Sequence, residues 1–432
     1  MEAVPFTDEM KKEYTILVPN MLPIHFKLLM TMLGEYGYKT ELLTNEGQEV
    51  IDTGLKYVHN DTCYPALLVI GQMINALQSG KYDLNKTALL ITQTGGGCRA
   101  SNYIHLLRKA LVKAGMPQIP VISLNLAGLE KDSSLKLSLP MLRKMIATIA
   151  YGDLMMLLRN QTRPYELKEG ATAKVIDSWV KELAGQFKRG RGLSISDLKR
   201  NMGAIAKSFA DIKVIKTDKI KVGVVGEIYV KYCGLGNNHL EQFLFEQGCE
   251  AMVPGLMGFI LFKTDNRIED AKIHGGKQVM KAVCELLLGY LKKIEGCIIS
   301  TVKKYPQYHA PLPYEEMKKF VDGVIGYGTR MGEGWLLTAE IIELVHAGYE
   351  NVVCAQPFGC LPNHIVGKGM IRRIKRLHPK ANIVPIDYDP GATKVNQENR
   401  IKLMLAVARE NKEEKAAENI SAVEKKEPAL AH

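Results

Sequence analysis

The sequence lacks the patterns typical of membrane proteins, secreted proteins and the common nucleotide-binding proteins. No apolar run reaches the roughly 18 residues that a membrane-spanning helix needs. The amino-terminal stretch MEAVPFTDEMKKEY does not have the basic-then-apolar order of a secretory signal. The glycine-rich turns match neither GxGxxG nor GxxxxGK followed by Ser or Thr. We therefore predict a cytoplasmic protein with no membrane partner and no standard nucleotide-binding loop.

Paired cysteines are also missing, because none of the eight cysteines belongs to a CxxC motif. This excludes a zinc ribbon and the contiguous cysteine run of a bacterial ferredoxin. In a reducing cytosol the cysteines are not expected to form disulfides. They are left as buried thiols, catalytic thiols or ligands of a metal centre.

The net charge is +11, from 57 basic and 46 acidic residues. No arginine stripe with interleaved aromatic residues accompanies this excess, so we expect no nucleic-acid partner. A solvated basic surface explains the charge, and an anionic ligand such as coenzyme A or an acidic partner protein stays open.

Apolar runs alternate with helical patterns in two parts of the chain, which predicts an α/β protein with two parallel sheets. Strands are expected at YTILVP, YKTELL, TALLITQ and IPVISLNL, and then at IKVGVVG, CEAMVPG, NVVCAQPF and ANIVPIDYD. We assign residues 1–130 to a first α/β domain, 131–218 to a helical layer and linker, 219–410 to a second α/β domain, and 411–432 to a disordered charged tail.

Three turns place a cysteine where the chain enters a helix. In HNDTCYPA, the helix amino terminus favours a thiolate at Cys63, although a packing role is equally compatible with the pattern. TGGGCRASNY and CAQPFGCLPNH follow apolar strands in the two halves, so Cys98 and Cys360 occupy similar positions. Because ligands bind at the carboxyl ends of parallel strands, we expect the three thiols to meet between the domains. Three thiolates from separate loops match a four-iron cluster, whereas zinc lacks its usual paired spacing.

Several motifs resemble the 2-hydroxyacyl-CoA dehydratase superfamily, namely HNDTCYPA, TGGGCRASNY, GEIYVKY, GEGWLLTAE, QPFGCLPNH and IDYDPGATKVNQENRIKLML. They are especially similar to the dehydratase-like part of the long CoA-enzyme activases and to the double-cubane cluster proteins. The resemblance covers about residues 13–408 and includes no counterpart of the activases' ATPase module.

This resemblance implies two flavodoxin-like (Rossmann-like) parallel-sheet domains with an iron–sulfur cluster in the interdomain cleft. It also implies a homodimer and a separate ATP-hydrolysing iron–sulfur activator of the actin-like ATPase fold, which supplies low-potential electrons.

The resemblance implies Cys63, Cys98 and Cys360 as cluster ligands. A double cubane with three thiolates for each half needs six, so we add Cys233, Cys354 and, ahead of Cys249 and Cys284, Cys297. A helix predicted over residues 269–295 contains Cys284 on a buried face, where packing is the expected role. The residues of the glycine turn expected to contact the cofactor are Gly96, Gly97, Arg99 and Asn102.

Three functions are compatible with the sequence. The first is a reductase that uses a double-cubane (8Fe-9S) cluster to reduce a small molecule with electrons from the activator. The second is a 2-hydroxyacyl-CoA dehydratase subunit with a single 4Fe-4S cluster. The third is a non-catalytic electron-transfer protein. Candidates for passing protons are Glu227, Glu333 and His364, although a lone acid or histidine near a turn is more often structural.

Overall fold

The computed structural model describes residues 4–94, 97–124, 135, 137–275 and 278–424, with side chains described as far as residue 414. It contains two four-stranded parallel sheets surrounded by helices. Within the described residues, no helix is both long and apolar enough to cross a membrane.

The first sheet forms the amino-terminal α/β domain. In chain order its elements are α1 (Asp8–Glu13), β1 (Thr15–Val18), α2 (Pro23–Glu35), β2 (Lys39–Leu42), α3 (Gln48–Tyr57), α4 (Tyr64–Gln78), β3 (Thr87–Thr92), α5 (Tyr103–Lys113) and β4 (Val121–Leu124). The strand order is β2-β1-β3-β4. The middle strands are apolar on both faces because helices cover both sides of the sheet.

A helical layer follows, made of α6 (Leu139–Thr162), α7 (Ala171–Lys188) and α8 (Ile195–Ala210). These helices lie between the two sheets in chain order, in the segment that we assign to a helical layer. Their packing buries a long apolar face of α6, including Tyr151 and Leu154, against both domains.

The second sheet has the same order as the first, β6-β5-β7-β8. Its elements are β5 (Lys221–Gly226), α9 (Ile228–Tyr232), α10 (Gly234–Asn237), α11 (Leu240–Glu246), β6 (Glu250–Met252), α12 (Leu256–Ile273), α13 (Gln278–Val302), α14 (Tyr314–Lys319), α15 (Gly334–His346), β7 (Asn351–Pro357), α16 (Leu361–Val366), α17 (Ile371–Leu377), β8 (Asn382–Tyr388) and α18 (Lys394–Glu424). All eight predicted strands are therefore confirmed, and both sheets have the start of a flavodoxin-like order.

Two helical predictions differ from the structure. The segment 269–295 is divided between α12 and α13, because the chain turns after His274 at Gly275, whose φ is +74°. Helix α13 then continues past Gly296 to Val302. The second difference concerns the charged tail predicted from residue 411. Helix α18 extends through Glu424, since the Ala-, Glu- and Lys-rich sequence has high helix propensity, and residues 425–432 lie outside the described part.

One carboxylate joins the first domain, the helical layer and the second domain. Asp153 Oδ1 in α6 lies 2.8 Å from His25 Nε2 in α2. The same carboxylate accepts hydrogen bonds from the backbone N–H groups of Leu256 and Met257, at 2.8 and 2.7 Å, in the first turn of α12. This buried contact fixes the relative position of helices from all three parts.

Candidate functional site

A cavity of about 450 Å³ lies between the two domains, beside the turns that follow strands of both sheets. The thiols of Cys63, Cys98 and Cys360 line it. Cys98 follows β3 and Cys360 follows β7, the equivalent strands of the two sheets. The expected meeting of these three cysteines in an interdomain cleft is thus seen in the structure.

Each of the three cysteines immediately precedes a helical turn. Cys63 precedes α4, Cys98 precedes a short 3-10 turn at Arg99–Ser101, and Cys360 precedes α16. The free N–H groups of a helical first turn can therefore reach each sulfur. Pro65 and Pro362 fit the first turns of α4 and α16, where a missing N–H has no cost.

Backbone contacts bring the Cys63 turn against the Cys360 turn. The N–H of Tyr64 donates a hydrogen bond of 3.0 Å to the carbonyl of Phe358. Gly359 adopts a left-handed conformation with φ of +72°, and a Cβ placed there would lie 3.0 Å from the Cys63 Cα. A glycine is required at this position because both the conformation and the close approach exclude a side chain.

Burial raises the pKa of each cavity thiol, and nearby donors oppose the rise. For Cys98 the pKa rises to about 11, while the N–H of Ala100 favours the thiolate. Burial also raises the pKa of Cys63, opposed by the Tyr103 hydroxyl, which lies 3.0 Å from the sulfur, and by a backbone N–H. The pKa of Cys360 is well above its ordinary value for the same reason. Without a cation the three thiols are therefore held protonated.

Two buried carboxyl groups face the same cavity. Glu227 follows β5 and accepts a hydrogen bond of 2.9 Å from the N–H of Val230. Burial, with a contribution from Glu333, raises the pKa of Glu227 to about 8, so this carboxyl group carries a proton at neutral pH. Glu333 accepts a hydrogen bond of 3.0 Å from the N–H of Ile228 through one oxygen. Its other oxygen is buried without a partner among the described residues, so the cavity presents an unsatisfied acceptor.

Cationic side chains and a loop form the remaining wall. Arg99 and Lys263 line the cavity, and the Lys263 ammonium donates a hydrogen bond of 2.5 Å to the carbonyl of Gly332. Met331 packs so closely on Gly97 that a Cβ on the glycine would lie 2.8 Å from the methionine methyl carbon. Arg330 in the same loop pairs with Asp270 of α12. The loop before α15 is thus attached to α12 on one side of the cavity.

A buried ion pair lies behind the site. Lys231 of α9 has its ammonium nitrogen 3.3 Å from both carboxylate oxygens of Glu340 in α15, and each side chain is only 4% exposed. The pair joins the helix that follows Glu227 to the helix that follows Glu333, so it fixes the spacing of the two carboxyl groups.

The other three cysteines predicted as ligands do not line the cavity. Cys354 is fully buried in β7, with its sulfur 3.9 Å from the Asn363 side-chain oxygen, and burial raises its pKa to about 12. Cys233 is buried between α9 and α10 and donates to the carbonyl of Asn20 at 3.3 Å. Cys297 is buried in α13 and donates to the carbonyl of Lys293 at 3.2 Å.

Of the remaining predicted site residues, some line the cavity and others do not. Gly97 and Arg99 line the cavity, whereas Asn102 is exposed at the start of α5 and does not. Gly96 lies outside the described residues. His364 has its Nδ1 against the Gln356 side chain and is not part of the cavity wall. Of the three proton-transfer candidates, Glu227 and Glu333 are therefore brought together and His364 is separate.

Sequence reasoning did not identify Tyr103, Lys263 or the loop residues Thr329 to Gly332 as parts of this site. Tyr103 lies within the quoted TGGGCRASNY motif, so proximity to Cys98 was its only available signal. Lys263 lies inside a long helix, and no local pattern distinguishes it from the other lysines of the chain.

The spacing of the three thiols is compatible with a cluster. In the described part of the chain, no group of three or more His, Cys, Asp or Glu side chains could hold one metal ion. A cubane distributes its thiolate ligands over different irons, so its cysteines do not converge on one point. Three thiols around one cavity, with N–H donors at the sulfurs, fit this requirement.

No family model and no curated protein matches this chain. Fold and site together define a two-domain α/β protein with a thiol-lined cavity between its parallel sheets.

Proposed function

We propose that this chain is an iron–sulfur oxidoreductase of the 2-hydroxyacyl-CoA dehydratase superfamily. In this proposal a separate ATP-hydrolysing iron–sulfur activator supplies low-potential electrons, and the cavity holds the cluster beside a small-molecule substrate. The observation that carries the proposal is the placement of Cys63, Cys98 and Cys360 around one interdomain cavity. No pair of these residues is close in sequence, so their meeting depends on the whole fold.

The residues around the thiols provide ligands, hydrogen bonds and positive charge for a bound cluster. A bound iron–sulfur cluster would supply one-electron chemistry, with a potential adjusted by hydrogen bonds and solvent access. Cys63, Cys98 and Cys360 would hold it, and Tyr103 and the amide of Ala100 would donate hydrogen bonds to sulfur. Arg99 and Lys263 would balance negative charge at the cavity wall.

Glu227 would provide the proton that a reduction consumes. Its carboxyl group faces the cavity and is protonated at neutral pH because burial and Glu333 disfavour its charge. Glu333, attached to the Ile228 amide, would keep Glu227 in that state. This arrangement supports a catalytic reductase over a protein that only transfers or stores electrons.

The number of irons in the cluster distinguishes the double-cubane reductase from the dehydratase subunit. In the double-cubane proposal, Cys233 and Cys354 would join the three cavity thiols, since both are buried near elements that border the site. A dehydratase subunit with one 4Fe-4S cluster is the second candidate, and the count of three cysteines in the cavity wall favours it. Cys297 is buried in α13, outside the cavity wall, and is not included in either arrangement.

Anaerobic purification followed by iron and sulfide analysis and electron paramagnetic resonance tests the proposal. About eight irons per chain are expected for a double cubane, and about four for a single cubane. Cys63→Ser, Cys98→Ser and Cys360→Ser should each lose most iron in either case. Cys354→Ser should lower the iron content only in the double-cubane protein. Full iron and an unchanged spectrum in the first three variants would contradict both candidates.

A further inference from the structure

Helix α13 has two apolar faces, and only one of them is covered. Cys284, Leu288 and Leu291 are buried where α13 packs on α12 and α8. Val279, Val283 and Leu286 are 78%, 53% and 78% exposed. At 3.6 residues per turn, this second stripe lies roughly 140° around the helix from the first. A helix that is apolar on opposite sides is normally covered on both.

The exposed stripe is continuous and free of charge. We call the stripe of Val279, Val283 and Leu286 the seam. Met280 is 52% exposed and Leu287 is 38% exposed, and both flank this seam. Ile273, at the end of α12, adds another large apolar side chain that is 53% exposed. Isolated exposed apolar residues are ordinary, but a connected group of this size marks an interaction surface. The charged side chains of this segment, Lys281 and Glu285, lie 3.9 Å apart on the side of the helix away from this stripe.

The spacing of the seam suits a second copy of α13 as the occupant. Val279, Val283, Leu286 and Tyr290 follow one another at intervals of four, three and four residues, and Tyr290 is half-buried with part of its ring against the core. This 4-3-4 order is unchanged when the helix is reversed, so an antiparallel copy presents the same spacing. Val283 would then face Leu286 of the second copy, and Val279 would face Tyr290, which pairs a small residue with a large one in every layer. Ala282 and Gly289 are small residues on one flank and allow close approach.

We propose that the face formed by Val279, Met280, Val283, Leu286, Leu287 and Tyr290 is a two-fold self-association surface, on which α13 of a second copy packs antiparallel. A two-fold interface must be self-complementary, and the reversible spacing and absence of seam charge satisfy this condition. A stable interface buries about 800 Å² on each partner, so this stripe forms the centre and neighbouring α12 residues such as Ile273 complete it. The proposal does not depend on the chemistry of the thiol cavity.

Sedimentation equilibrium of the full chain provides the first test. The unmodified protein is expected to sediment as two chains at low micromolar concentration. Val283→Lys and Leu286→Glu should each raise the dissociation constant at least about a hundredfold, because each buries an unpaired charge in two symmetric layers. Both positions are more than half exposed within one chain, so the fold should survive, as far-ultraviolet circular dichroism will show. Leu403→Glu, at a position 69% exposed on α18, is the matched control and should stay dimeric.

Mixing the two variants tests the antiparallel register. A Val283→Lys chain facing a Leu286→Glu chain keeps one native Val–Leu layer and gains one Lys–Glu pair, so the mixture should form the two-chain species that neither variant forms alone. A parallel register would give no such recovery. An unmodified protein that sediments as one chain would overturn the proposal, as would variants that remain dimeric or a mixture that remains monomeric.

Discussion

Gly359 lies directly against Cys63, so that a Cβ on the glycine would come within 3.0 Å of the cysteine Cα. The two residues lie in turns of different domains, and their contact determines how closely the Cys360 turn approaches the Cys63 turn. The left-handed backbone at Gly359 and this close approach both depend on the absence of a side chain.

Gly359→Ala should therefore lower the iron content after anaerobic reconstitution to less than about half that of the parent. The left-handed conformation alone costs an alanine roughly 1 kcal/mol, and the overlap with Cys63 adds displacement of the turn. Gly348→Ala is a matched control, because Gly348 has a similar φ of +85° but open space where the Cβ would lie. Equal iron in the two variants would show that the contact does not position a ligand.

Tyr103→Phe should make the reduction potential of the bound cluster more negative while leaving the iron content unchanged. The hydroxyl lies 3.0 Å from the Cys63 sulfur, and a hydrogen bond to a ligand sulfur stabilises the reduced, more negative cluster. Potentiometric titration followed by electron paramagnetic resonance measures the change. Tyr305→Phe, in the segment after α13, serves as the control, and an identical potential in both variants would exclude a contact between Tyr103 and the cluster.

Glu227→Gln should lower substrate turnover by about a hundredfold with the iron content and spectrum retained. Glutamine can still accept the hydrogen bond from the Val230 amide, which preserves the start of α9, but it cannot release a proton. Asn102→Ala changes a predicted cofactor contact outside the cavity wall and should keep near-parent turnover. The measurement is anaerobic reduction of the substrate with the activator and ATP, and full turnover by Glu227→Gln would remove this residue from the proton path.

The buried pair of Lys231 and Glu340 should show strong coupling in a double-mutant cycle. Lys231→Met leaves the Glu340 carboxylate buried without its partner and should lower the free energy of unfolding by about 3–5 kcal/mol. The double variant with Glu340→Gln should recover much of that loss, because no unpaired charge remains. Chemical denaturation of all four proteins measures the coupling, and additive losses would mean that the two groups do not interact.

Glu343 lines a separate cavity of about 110 Å³, and its titration should make the stability of the protein depend on pH. Burial raises the pKa of Glu343 to about 7 from its ordinary value of 4.5. The folded state thus binds a proton more strongly than the unfolded state, so this contribution to stability is complete below pH 4.5 and is lost as pH rises through 7. Glu343→Gln should be equal in stability to the parent near pH 4.5 and more stable by up to about 3 kcal/mol at pH 8. Glu49→Gln, on the exposed face of α3, should show no such divergence in denaturation experiments.

The strands and the cavity cysteines followed from the sequence because short-range patterns determine them. Alternating apolar runs and helices predicted the eight strands, and the Gly-Cys turns after equivalent strands predicted that Cys98 and Cys360 would meet.

The position of Cys297 could not be predicted from the sequence. The helix that contains it was expected to end near residue 295, whereas α13 continues to Val302 and places Cys297 on the same buried face as Ile294 and Ile298. Gly296 has no atom within 4 Å of an added Cβ, and the packing of its neighbours outweighs its low helix propensity.

Tyr103, Lys263 and the loop around Met331 illustrate what local patterns cannot provide. Met331 reaches the cavity from a loop far along the chain from Gly97, and this contact exists only after both domains have packed. The contact of Lys263 with Gly332 joins two residues 69 positions apart in the second domain, so it too depends on tertiary structure. Ligand positions at strand ends are repeated features of parallel sheets, but the residues that close a cavity come from tertiary structure.

The wide separation of the cavity cysteines along the chain has a consequence for biosynthesis. Cys63 and Cys98 are translated early, and their domain can assemble its sheet while the ribosome is still far from Cys360. A nascent chain would therefore expose two of the three thiols of an incomplete site. Cofactor insertion would have to wait until β7 and the turn after it have folded, so that only nearly complete protein becomes a substrate for the cluster-assembly machinery.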